Sequence, residues 1–121
     1  MDMHTSSSIN NALNHYKEGI GSFTQKMPEI VQQFNAYTEA CFQEGNLTQK
    51  QKQLIALGIS LYSQDEYCII YHMKGCLDQG ATEQEVMETV GVASAIGGGA
   101  VMSQAVTLVN ECLTELSSIQ Q

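Results

Sequence analysis

The stretch Thr48-Gln49-Lys50-Gln51-Lys52-Gln53-Leu54-Ile55-Ala56-Leu57-Gly58-Ile59-Ser60-Leu61-Tyr62-Ser63 reads as one complete helix. Thr48 and Gln51 fit a capping box, in which each side chain satisfies a backbone N–H that the first turn leaves free. Leu54, Leu57, Gly58 and Leu61 fall on one stripe, and Ile55, Ile59 and Tyr62 on another. Apolar residues on two faces predict a helix buried from both sides. Ser63-Gln64-Asp65-Glu66 offers a second capping box, so the next helix is expected from about residue 64 until Gly80. Residues 48–80 then form a central helical hairpin.

The flanking segments read the same way. A short helix is expected from Ile9 to Gly19, and another from Pro28, a residue favoured in a first helical turn. Ile30, Phe34, Tyr37 and Cys41 follow helical spacing until Gly45-Asn46. Thr82-Glu83-Gln84-Glu85 is a third capping box, opening a helix with Val86, Val90 and Ala93. Gly97-Gly98-Gly99 separates it from a last helix with Val101, Ala105, Leu108, Val109, Cys112 and Leu116 on one face. Without a P-loop lysine-serine pair or a preceding strand, the glycines read as a tight turn rather than a phosphate cradle. No run alternates with a period of two. The expected fold class is all-α: a single helical domain of five or six helices over residues 9–121, after a disordered tail over 1–8.

Composition excludes several functions. The 121 residues hold five lysines, no arginine and thirteen acidic residues, for a formal charge of −8. Nucleic acid is not an expected partner, because phosphate binding needs a basic surface. Polycarboxylate substrates are usually gripped by bidentate arginine, which is absent. No apolar run approaches the roughly 20 residues of a membrane span, so no membrane partner is expected. The first residues lack the basic and apolar regions of a signal peptide, and the four cysteines are widely spread. A reducing cytoplasm with free thiols is the expected setting.

Cys68 and His72 lie four residues apart at the start of the second hairpin helix, which puts them on one face. A thiolate there is favoured by the helix N-terminus and opposed by Asp65 and Glu66. The alternative is a packed cysteine beside a hydrogen-bonded histidine. Cys76 continues the stripe, but it lies roughly 12 Å from Cys68 along the axis, too far for one metal or for a disulfide. Cys76 is expected to be packing, and no cofactor or metal is expected.

Lys52 to Ser60, Glu66 to His72 and Gly80 to Val86, taken together, resemble the carboxymuconolactone decarboxylase family, which includes the alkylhydroperoxidase D-like proteins. The resemblance implies an all-helical domain oligomerising through helix packing, as a trimer or hexamer. In alkylhydroperoxidase D-like members, a Cys-x-x-Cys-x-x-x-His run and a glutamate on the preceding helix reduce peroxides or pass electrons to a partner. Cys68 matches the second cysteine and His72 the histidine. Asp65 stands at the first cysteine and Gln53 at the glutamate. The resemblance therefore implies a thiol-dependent oxidoreductase of peroxidase or disulfide-reductase type, with one cysteine and a histidine. Its small-molecule substrate would oxidise Cys68 to a sulfenic acid. A thiol reductant, a redox partner protein, or Cys41, Cys76 or Cys112 of a neighbouring subunit would resolve it. Asp65 is then a candidate to orient or protonate His72. The alternatives are a non-redox, lactone decarboxylase-like enzyme with His72 as base, and a non-catalytic oligomeric member.

Overall fold

The computed structural model describes residues 8–116 in full, and the helical backbone of 2–7 and 117–120. The helices are α1 (Asp2–Lys26), α2 (Pro28–Phe42), α3 (Gln49–Ser63), α4 (Glu66–Asp78), α5 (Glu83–Gly97), α6 (Gly99–Gln104) and α7 (Asn110–Gln120). A π-helical turn, Ala105–Val109, joins α6 to α7 with helical backbone on both sides, so these segments form one rod. The described residues thus hold six rods and no strand, as the sequence predicts. Among them no helix is long and apolar enough to cross a membrane. The expected tail lies, apart from Ser8 in α1, outside the fully described residues.

The hairpin α3–α4 is the centre of the fold, with α3 packed on α4 and α5 and α4 packed on α7. Leu57, Leu61, Ile69 and Met73 have no exposed surface, and Ile70 has 1 %. The six apolar residues expected on one face of the last helix are all buried. Fully burying the larger of these side chains, such as Val or Leu, contributes roughly 1.5–3 kcal/mol each, so this face adds to the cohesion of the core built on the hairpin. The capping boxes at Thr48 and Thr82 both form. Lys50 joins those two helix starts through an ion pair to Glu85 at 2.9 Å. Gly98 takes a φ of 71°, which reverses the chain between α5 and α6 and suits a residue without a Cβ.

Three expectations are corrected. First, α1 does not stop at Gly19 but continues to Lys26. Glycine costs only about 1 kcal/mol in a helix interior, whereas Pro28 disfavours helical backbone in the residue before it. The break falls there, at Met27 with φ −136°. Second, α4 starts at Glu66, because Gln64 turns left-handed (φ 59°) to close α3 and Asp65 becomes the N-cap. The Ser63–Glu66 capping box does not form around that turn. Third, α3 is not buried on both faces of the chain: Ile55, Ile59 and Tyr62 are 50–64 % exposed. The stripe expected on α2 is exposed too, and Val31 is the buried residue of that helix.

Candidate functional site

Cys68 and His72 face a pocket of about 330 Å³, bounded by α1 and α2 on one side and by α3 and α4 on the other. Asp65 starts α4, and its Oδ1 accepts a hydrogen bond from the Cys68 backbone N–H at 3.2 Å. This cap places the thiol in the first turn. Burial raises the thiol pKa above its ordinary value, and the Asp65 charge and a hydrogen bond that the thiol donates to the Asp65 carboxylate raise it further. The opposition between helix dipole and carboxylate is thus decided for the neutral thiol.

His72 lies one turn further along α4. Its Nδ1 is 2.9 Å from Gln53 Oε1, across the hairpin. With the amide oxygen toward the ring, Nδ1–H is the donor and Nε2 is left as the basic nitrogen. Burial lowers the imidazole pKa, and the glutamine adds no charge that would counter this. His72 is therefore a neutral base at neutral pH. Asp65 serves as the cap of Cys68, while Gln53 is the group that holds His72.

Two features fix this arrangement. Gly75 stands three residues after His72, and a Cβ there would collide with the Gln53 side-chain amide. Only a glycine leaves the amide its place between α4 and the histidine ring. Lys52 Nζ donates to the carbonyls of Cys41 and Gln43 and so holds the end of α2 against α3. That brings Phe42 onto His72, with ring centres 5.8 Å apart and planes at 12°. Tyr71 also meets the ring edge-on, with centres 5.2 Å apart.

The four residues singled out in the sequence come together at this place: Gln53, Cys68 and His72 line the pocket, and Asp65 caps the helix beneath the thiol. Sequence reading missed Gly75 and the walls from the first two helices, namely Tyr16, Phe34, Glu39 and Phe42. The spacing of Phe34, Thr38 and Phe42 was a signal, since i, i+4 and i+8 share a helix face. Cys76 and Cys112 are fully buried, and their thiol pKa values are pushed up to about 12 by burial. Neither is available as a resolving thiol, whereas Cys41 is exposed.

Known proteins share this frame. Residues 28–111 match the sequence profile of the carboxymuconolactone decarboxylase family. An uncharacterised protein of the cox locus of Paracoccus denitrificans is 32 % identical over 100 residues, covering 83 % of this chain and 86 % of that one. The crystal structure of a carboxymuconolactone decarboxylase family protein from Legionella pneumophila superposes with a TM-score of 0.84 at 26 % identity, covering 95 % of this chain and 99 % of its own. A Thermotoga maritima family member, with a suggested part in antioxidative response, shares the fold with a TM-score of 0.73 at 21 % identity, covering 89 % of each chain. With its hairpin, its cap and its histidine all inside the matched stretch, the chain belongs to the carboxymuconolactone decarboxylase family.

Proposed function

We propose that the protein is a thiol-dependent oxidoreductase that works through one cysteine, Cys68, with His72 as its base. The carrying observation is that both side chains line one pocket a helical turn apart, with Gln53 holding Nδ1 so that Nε2 stays basic. The thiol rests protonated, so its proton must leave during the reaction. His72 Nε2 takes it as the sulfur attacks a peroxide oxygen. The O–O bond breaks, an S–O bond forms, and the proton passes to the leaving alkoxide: Cys68–SH and ROOH become Cys68–SOH and ROH. A thiol then condenses with the sulfenic acid, releasing water and leaving a mixed disulfide. A second thiol frees Cys68 and carries away the disulfide. The reductant comes from outside the core, because Cys76 and Cys112 are sealed; a small thiol, a cytoplasmic redox partner or Cys41 of another copy fits. Family membership supports this reading, as does the antioxidative role suggested for the Thermotoga relative.

The test is hydroperoxide consumption with a dithiol reductant. Wild type should turn over, and Cys68→Ser and His72→Ala should each lose the activity. An unchanged rate in Cys68→Ser overturns the reading. The raised thiol pKa favours one second reading, in which His72 is a general base on a small carbonyl or lactone. Turnover of such a substrate that survives Cys68→Ser and dies with His72→Ala would support it.

We also infer that the protein works as a homo-oligomer, with a second copy docked on the α3/α5 face. Ile55, Ile59, Tyr62, Val92 and Ile96 are 50–76 % exposed there. The groove they form contains no charged side chain, although the chain carries −8 overall. Two copies can meet on it without bringing carboxylates together. Light scattering should show an oligomer that Ile59→Glu with Ile96→Glu dissociates; a monomeric wild type overturns this.

A further inference from the structure

The pocket is walled by a connected series of rings. Phe42 stacks on His72 and Tyr71 abuts it, as described above. Tyr16 lies 6.1 Å from Tyr71 and 6.2 Å from Tyr67, centre to centre. Phe34 adds a wall from α2. Aromatic faces carry negative quadrupole charge and attract cations that sit over them.

The charges point the same way. Glu39 is the charged side chain among the lining residues, and no lysine lines the pocket. Asp65 lies beside it: burial raises the pKa values of the Cys68 thiol and the Tyr16 phenol, and the Asp65 charge adds to both. His72 adds no opposing charge while it is neutral. An anion entering here would meet a carboxylate and ring faces with no donor cation to hold it. A neutral apolar molecule would gain burial alone.

We propose that this pocket binds a small organic cation, an amine or quaternary ammonium on an apolar body, and that Glu39 is the residue that selects for the charge. The ammonium sits against Glu39 and the ring faces, while the apolar body lies toward Cys68 and His72. The inference rests on this pocket being the substrate site, and it extends the proposed function by naming R in ROOH: an apolar body that bears the hydroperoxide at one end and the ammonium at the other. It does not depend on the redox step.

The experiment measures binding without turnover, on wild type and on Cys68→Ser. The probes are benzyltrimethylammonium, its neutral isostere neopentylbenzene, and phenylacetate, each followed by chemical-shift titration of the pocket tyrosines. Benzyltrimethylammonium is expected to bind about tenfold or more tighter than the neutral isostere, with phenylacetate weakest. Glu39→Gln should cut cation affinity about tenfold and leave the neutral probe unchanged. Glu39 is exposed on α2, so the variant should keep its fold. Equal binding of cation and isostere, tighter binding of phenylacetate, or no response to Glu39→Gln overturns the proposal. If the thiol chemistry fails instead, peroxide consumption is lost as a property of the protein while selective cation binding persists in Cys68→Ser.

Discussion

The α3–α4 hairpin and the α1–α2 arm both wall the pocket, yet they are built differently. The hairpin seals Leu57, Leu61, Ile69, Ile70 and Met73 at 0–1 % exposure. On α2, Phe34 is 60 % and Tyr37 69 % exposed, and Val31 alone is buried among the described residues of that helix. The reactive groups, Cys68, His72 and Gln53, all stand on the hairpin. The groups that would touch a ligand's periphery, Tyr16, Phe34, Glu39 and Phe42, stand on the arm. Close packing holds rotamers, so the chemistry gains fixed geometry, whereas the arm is free to differ without loss of the core.

The largest expected effects test whether the chemistry belongs to the hairpin. His72→Ala should lower hydroperoxide turnover about 100-fold or more, the usual range for a general base. Phe34→Ala should raise KM with kcat little changed, because it alters only a wall. Steady-state kinetics of the two variants separate the regions; a kcat loss in Phe34→Ala equal to that in His72→Ala would break the comparison.

Stability should divide along the same line. Leu61→Ala empties a sealed position and should cost about 2–5 kcal/mol in denaturant unfolding. Phe34→Ala should cost less than about 1 kcal/mol in the isolated chain, since most of the ring is already in water. A larger loss for Phe34 that grows with protein concentration would instead show the arm packed against another copy.

The same contrast explains what could be read in advance. The hairpin was legible because capping residues and helical stripes are local signals: Thr48 and Thr82 cap, and Gly80 and Gly98 turn, where the sequence places them. Cys68 and His72 were legible because one helical turn brings them together. The exposed stripes were not, neither at Phe34 on the arm nor at Ile59 on the hairpin: whether they face core or solvent depends on what covers them, and periodicity marks an apolar stripe without saying what lies opposite. Asp65 was ambiguous for another reason: Ser63 and Asp65 are both good caps, and the left-handed turn at Gln64 decides for the second. Gly75 gave no local signal at all, since its role lies in a side chain on the other helix.

Gly75 therefore offers a sharper test within the hairpin. In Gly75→Ala the new methyl meets the far end of the flexible Gln53 side chain, which can swing aside. Helix propensity favours alanine by up to about 1 kcal/mol, so unfolding stability should hold or rise. The bond to His72 Nδ1 should be lost, and kcat should fall about tenfold, the equivalent of about 1.4 kcal/mol in the barrier. Gln53→Ala should cause a similar fall, and the double variant no further one. A double variant with multiplied losses would mean that Gly75 acts by some route other than Gln53.

The smallest expected effect is a pH dependence, and it asks how the packed side of the pocket sets the charge of His72. Burial depresses the folded-state pKa of this ring below the 6.5 of a free histidine. Between those two values the unfolded chain binds a proton that the folded chain excludes. The contribution of His72 to stability is thus fully present above about 6.5 and is lost as pH falls through the lower folded value. Activity that needs neutral His72 should be flat from neutral pH upward until other groups titrate, with its acid limb below 6.5. Gln53→Glu places a carboxylate on Nδ1 and favours the imidazolium. Its acid limb should move to higher pH, and a ring-proton titration of His72 by NMR should move with it. If the substitution leaves both in place, the neutral amide is not what lets burial keep this histidine a base.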